Sequence, residues 1–190
     1  MKLTRTKIED VVVIEPTVHG DDRGYFVETF REDKLEEFLG FKVNFTQDNE
    51  SKSSKGVIRG LHYQLAPFAQ TKLVRVIKGR VLDVAVDIRE GSPTFGEYVA
   101  VELSEENKKQ LFVPRGFAHG FVVLEDDTIF AYKVDNYYSP QNDRGISYSD
   151  KSIGIDWILN SNELKLSDKD TKQPLLKDAD LFDYGVNLYE

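Results

Sequence analysis

The 190-residue sequence contains no cysteine. That absence excludes disulfides, thiolate metal sites and a cysteine nucleophile, and it fits a reducing compartment, so a cytoplasmic protein is expected. No stretch of about 18 uncharged apolar residues occurs, so no membrane span is expected. The opening MKLTRTKIED has no apolar core of the kind a secretory signal needs. Walker-type and GxGxxG runs are missing, and with them the common nucleotide cradles. Helix signals are sparse, and histidine is scarce, with three in the chain. Basic residues are outnumbered. The formal net charge of -8 argues against non-specific nucleic-acid binding. A phosphorylated small ligand stays open, because a few placed arginines act locally.

What the sequence does contain is a strand pattern. Hydrophobic residues make up 40%, enough for a real core, and the length suits one domain over residues 1–190. Short β-branched and aromatic runs recur, cut by Gly, Pro, Asn and Asp. Candidate strands are Val11–Glu15, Gly24–Phe30, Phe41–Asn49, Val57–Tyr63, Leu73–Ile77, Val81–Ile88, Tyr98–Leu103, Leu111–Val113, Gly116–Leu124 and Thr128–Val134. In Val81–Ile88, Leu82, Val84, Val86 and Ile88 share one face and Asp83 and Asp87 the other. This spacing predicts an all-β barrel or double-sheet jelly roll, with its core over about residues 11–135. Asp33–Leu39 reads as a short helix closed by Gly40. Residues 139–190 are polar and irregular and read as an extension over the body, with a short helix near Asn162–Leu166.

Few residues can carry chemistry. Histidine is the side chain best matched to proton transfer near neutral pH. On strand alternation His62 shares a face with Ile58 and Gly60, and the small neighbour leaves room for a ligand; a satisfied core histidine is the alternative. His119 shares a face with Phe117 and Phe121 and reads as structural or positioning. His19 precedes Gly20-Asp21-Asp22-Arg23-Gly24 and reads as a turn residue. The HxH pair of metal-binding double-stranded β-helix proteins is absent, because Tyr63-Gln64 follows His62, so no metal is expected. Arg23 and Arg59 are candidate phosphate ligands, each beside a glycine that would let a ligand near the backbone. Strict alternation puts Arg59 and His62 on opposite faces, and both line one site only if the strand is bulged or twisted near Gly60 or if the site reaches around the barrel mouth. Tyr132 sits on an apolar face with Phe130 and Val134, where a tyrosine is either core or a proton donor beside a cavity. Lys72 opens a strand and is either a solvated end or a site cation.

Together these motifs carry a resemblance. The pieces are His19 to Phe30, Gln47-Asp48-Asn49, Val57 to Gln64, Lys72 to Val76, Gly79 to Arg89, Val113 to Phe121, Tyr137-Tyr138-Ser139-Pro140, Ile153 to Trp157 and Leu166 to Asp170. Taken in that order, the set resembles the dTDP-4-dehydrorhamnose 3,5-epimerase family, the RmlC-type cupins. The resemblance implies a cupin double-stranded β-helix, a homodimer and no metal or other cofactor. It implies dTDP-4-dehydro-6-deoxy-D-glucose as substrate and dTDP-4-dehydro-L-rhamnose as product. It makes His62 the base, Asp170 the carboxylate behind it, Tyr132 the acid on the other face of the sugar, and Lys72 the cation at the keto oxygen. It makes Arg23, Glu28, Gln47, Asn49 and Arg59 nucleotide-binding residues, with Arg23 and Glu28 reaching the partner subunit's site. His119 and Lys169 become further ligand contacts, and Phe26 and Tyr138 stacking surfaces for thymine. One position departs: where the family often carries glutamate, this chain has the shorter Asp143.

Two other readings compete. One is a sibling that epimerises a single carbon, or isomerises, another dTDP-ketosugar. The other is a non-catalytic sugar-nucleotide-binding cupin, which would be expected to have lost the base or the acid.

Overall fold

The structure is a computed structural model that describes residues 1–190. In chain order its elements are β1 (Lys2–Arg5), β2 (Val12–Glu15), β3 (Val18–Asp21), β4 (Gly24–Val27), helix α1 (Glu32–Leu39), β5 (Gln47–Ser53), β6 (Ile58–Gln64), β7 (Lys72–Lys78), β8 (Arg80–Asp87), β9 (Arg89–Glu90), β10 (Tyr98–Ser104), β11 (Gln110–Val113), β12 (Phe117–Val123), β13 (Thr128–Val134), β14 (Asp143–Gly145) and β15 (Phe182–Asp183). Short 3-10 turns at Ser161–Glu163, Asp170–Lys172 and Leu176–Asp178 punctuate the C-terminal stretch. A six-stranded sheet runs β1-β2-β11-β7-β13-β5, and a five-stranded sheet runs β10-β8-β12-β6-β14. The neighbours in both are antiparallel, and the two sheets stack as a jelly roll.

Apolar residues fill three layers. Between the sheets, Val74, Val76, Leu111 and Phe130 meet Val81, Ala85, Leu103 and Phe121. Outside the five-stranded sheet, Leu82, Val84 and Val86 are covered by Ile146, Ile153, Trp157, Leu176 and Phe182 from the C-terminal stretch. Outside the six-stranded sheet, Val12, Ile14, Leu73 and Phe112 are covered by Leu35 of α1 and by Val43. Each such side chain contributes roughly 1.5–3 kcal/mol on burial.

The alternation in Val81–Ile88 is real, but its acidic face turns inward. Asp83 and Asp87 are both fully buried, because the apolar face is needed against the C-terminal stretch. Asp87 is satisfied by Arg89, Ser92 and Thr94. The expected strand at Phe41–Asn49 begins only at Gln47 and runs on to Ser53, while Val43 and Phe45 pack beneath α1. The expected Gly24–Phe30 strand stops at Val27. The helix ends as expected at Gly40, whose φ of 82° closes it in the left-handed region. The C-terminal helix shrinks to the turn at Ser161–Glu163, held by a capping box with Asn160. β1, β3, β14 and the small β9–β15 pair had no clear signal, being short and polar.

Candidate active site

The site is made by an irregularity in one strand pair. On β6 and β12, His62 pairs with His119 and Arg59 pairs with Phe121, so β6 spends one more residue than β12 between them. That bulge turns Arg59 and His62 to the same side, resolving the conflict in the strand alternation. It also corrects the companions expected for His62: Ile58 packs outward with Leu61 and Tyr63. Nor does Gly60 make room for a ligand. A Cβ there would lie 2.5 Å from the Gly120 Cα and 2.8 Å from the His119 carbonyl oxygen. The glycine, at φ +128°, lets two backbones approach. Gly24 likewise serves the β3–β4 turn, at φ +131° with open space around it.

A cavity of about 520 Å³ opens beside the bulge, lined by His62, Lys72, His119, Tyr132, Arg59 and Asp170 among others. His62 and His119 come from the five-stranded sheet; Lys72 on β7 and Tyr132 on β13 come from the six-stranded sheet facing it. His62 Nε2 lies 2.5 Å from an Asp170 oxygen, and the other Asp170 oxygen accepts from Ser167 Oγ at 2.7 Å. Hydrogen bonds from His62 and Ser167 hold the Asp170 carboxyl below the usual range, against the upward push of burial. His119 Nε2 lies 3.0 Å from both oxygens of Asp83. Burial pushes the Asp83 carboxyl up and the His119 imidazole down, each partly offset by the other. Lys72 Nζ donates to the His62 carbonyl oxygen at 3.3 Å. Burial lowers the Lys72 ammonium to about 8, with Asp83 and Asp143 opposing the drop. Burial raises the Tyr132 phenol, with nearby Arg59 opposing. Beneath these groups Phe121 stacks on Phe130 with ring centroids 4.0 Å apart.

A second hollow of about 340 Å³ adjoins the first and shares His62, Lys72, Tyr132 and Lys169 with it. Gln47, Asn49, Tyr138 and Asp143 line it. Gln47 Nε2 donates to Asn49 Oδ1 at 2.8 Å. Asp143 accepts from the Tyr138 hydroxyl at 3.0 Å and pairs with Lys169. Tyr138 is 59% exposed and stands at the rim. Arg59 leans on Ser53 Oγ at 3.2 Å.

Three expected site residues are not brought here. Arg23 and Phe26 belong to the β3–β4 hairpin, which has its own hollow of about 390 Å³. Arg23 pairs with Asp21, Phe26 is 69% exposed, and Glu28 faces Arg31. His19 lies within β3 opposite Phe26, so it is a strand residue and not part of the turn. The sequence reading missed Asp83, Ser167, Glu50 and Ser51. None carried a signal of its own, since Asp83 shares its strand with Asp87 and Arg80. No group of three or more His, Asp or Glu side chains converges in a metal-ligating cluster.

A model of the family described as dTDP-4-dehydrorhamnose 3,5-epimerase matches residues 5–178. A Shigella flexneri protein named dTDP-4-dehydrorhamnose 3,5-epimerase is 57% identical over 182 residues, 96% of this chain and 99% of its own. A Legionella pneumophila dTDP-6-deoxy-D-glucose-3,5-epimerase, solved with dTDP-4-keto-L-rhamnose, superposes with a TM-score of 0.93 at 48% identity, covering 97% of this chain and 99% of that one. A Streptomyces bikiniensis 3'-monoepimerase, solved with dTDP-quinovose, gives a TM-score of 0.85 at 32% identity, covering 91% and 87%.

Proposed function

The chain belongs to the dTDP-4-dehydrorhamnose 3,5-epimerase family, and from that premise we propose that it inverts C3 and C5 of dTDP-4-dehydro-6-deoxy-D-glucose to give dTDP-4-dehydro-L-rhamnose. The observation that carries the residue assignment is the cavity between the sheets, where His62 and Tyr132 stand on opposite walls.

Protons on C3 and C5 are acidic because each carbanion delocalises into the C4 ketone. Inversion needs removal from one face and return to the other. With Nε2–H given to Asp170, His62 offers Nδ1 as the base. Asp170 fixes that tautomer and stabilises the imidazolium that forms. The electron pair moves onto the keto oxygen, where the Lys72 ammonium meets the growing charge; one preorganised donor of this kind is worth roughly 3 kcal/mol. Tyr132, kept neutral by burial, returns a proton to the opposite face of the carbon. His62 then holds the substrate's proton and Tyr132 is a phenolate, so both must reset before the second centre reacts. His62, 28% exposed at its side chain, can do so through water. The chemistry as written uses no redox cofactor.

Gln47, Asn49, Arg59, His119, Asp143 and Lys169 would hold the nucleotide and sugar, with Tyr138 stacking on thymine. Arg23, Phe26 and Glu28 would complete the site of a partner subunit in a homodimer. The exposed Tyr25 and Phe26 of the hairpin support such an arm. A cytoplasmic location goes with this reading.

The test is incubation with dTDP-4-dehydro-6-deoxy-D-glucose in heavy water, followed by proton NMR. Deuterium entering both C3 and C5, and lost in His62→Ala, is the expected result. Deuterium at one carbon would favour the single-centre reading, which the monoepimerase neighbour motivates. No exchange despite bound dTDP would overturn the assignment.

A further inference from the structure

Lys72, Asp83 and His119 form a buried polar cluster behind the candidate base. Their residues are 8%, 0% and 6% exposed. Asp83 reaches inward from β8, and both its oxygens lie 3.0 Å from one nitrogen of His119. A carboxylate accepts only, so that nitrogen is the protonated one, and His119 is left with Nδ1 as an acceptor. A buried carboxylate also needs a positive neighbour, since an unpaired one costs several kcal/mol. Lys72 lines the same cavity as the His119 that Asp83 holds, and it is the lysine whose charge bears on Asp83. One negative group, one positive group and a neutral ring leave the cluster with no net charge.

We propose that Asp83 is a positioning residue of the reaction: it holds His119 as the Nε2–H tautomer and serves as the counter-charge that keeps Lys72 an ammonium. Two consequences follow for the sugar. His119, presenting an acceptor, takes a hydrogen bond from a hydroxyl and does not donate to the ketone. The ketone is left to Lys72. The two histidines thus divide the work, His62 moving protons and His119 reading a hydroxyl. The inference rests on the epimerase reading above.

Other groups act on the same cluster and enter the test. Asp143 of β14 and Lys169 also bear on Lys72, and His62 bears on His119. Arg59, Glu50, Tyr132 and Asp170 line the cavity around it.

The experiment compares Asp83→Asn with wild type, once the wild-type protein has shown deuterium exchange. That order separates failure of the epimerase reading from failure of this one. The asparagine oxygen still accepts from His119, so the variant isolates the charge. We expect kcat to fall about tenfold or more and the alkaline limb of the kcat profile to move down by about one pH unit. The Kd for dTDP should stay within about twofold, because the nucleotide groups are elsewhere. A kcat and a limb both unchanged would overturn the proposal. So would a loss of stability with the limb in place, the mark of a merely structural residue. A second measurement needs no variant. Ring 15N NMR of the wild-type protein should show His119 neutral with its proton on Nε2 between about pH 6 and 9. A proton on Nδ1, or a cationic ring near neutral pH, would overturn it even if Asp83→Asn fails to fold.

Discussion

His62 and His119 stand directly opposite each other on β6 and β12, and each gives Nε2 to a different aspartate. The two dyads differ in access: the His62 side chain is 28% exposed and that of His119 is 7% exposed. The more open first dyad is the one suited to passing a proton on to water. Expectations for variants follow from that difference.

His62→Ala should lower turnover by at least about 100-fold, the scale of a lost general base. Binding of dTDP should survive, because Gln47, Asn49 and Tyr138 line the adjoining hollow. Calorimetric titration checks this. A folded variant that no longer binds dTDP would mean that His62 serves binding.

Tyr132→Phe should still exchange substrate protons for deuterium while product inversion falls about 100-fold. The base is intact and only the opposite-face donor is missing. Product formation at the wild-type rate would remove Tyr132 from the mechanism.

Lys72→Met should lose activity together with the pH dependence of its stability. The wild-type ammonium is held down to about 8 by burial, against about 10.4 in an unfolded chain. Between those values the unfolded state binds more protons, so wild-type stability rises with pH across that window. Below it, the full cost of burying the charge remains. Methionine removes that titration but leaves the buried Asp83 carboxylate without its counter-charge, so the unfolding free energy should fall by about 1–3 kcal/mol at neutral pH and no longer rise across that window. Turnover should drop about 100-fold. Urea unfolding at neutral and alkaline pH checks both the sign and the loss of pH dependence. A Lys72→Met variant whose stability climbs across that window as steeply as wild type would refute the desolvation account.

Gly60→Ala should destabilise the fold by about 2–4 kcal/mol. The added methyl meets the Gly120 backbone at 2.5 Å, on a residue whose φ of +128° already disfavours a side chain. Its urea midpoint should fall well below that of Gly24→Ala, which also has positive φ but open surroundings. Equal losses would show that the backbone conformation, not the strand contact, sets the cost.

Much of this was legible in the sequence. Apolar alternation located the long strands and so a barrel or jelly roll, and the family resemblance picked out His62, Lys72, Tyr132 and Asp170, which line one cavity. The bulge at Gly60 was legible as a conflict, since Arg59 and His62 could share a site only through a bulge or twist there or around the barrel mouth, and the strand pairing selects the bulge. Asp83 was not legible, because alternation says which residues share a face but not which face looks inward. Here the C-terminal stretch claims the apolar side of β8, and only the docked chain reveals it. Arg23, Phe26 and Glu28 lie outside the cavity, on and just after the β3–β4 hairpin; for Arg23 and Glu28 the resemblance already implies a place in a partner subunit's site, whereas for Phe26 it implies only stacking on thymine.

Asp170 follows His62 by 108 residues and closes the dyad from the far end of the chain. Every strand of the two stacked sheets is therefore synthesised before the carboxylate that stands behind the base. The order of synthesis makes activity the last property the molecule acquires, and the first it should forfeit when the tail is clipped or undocks.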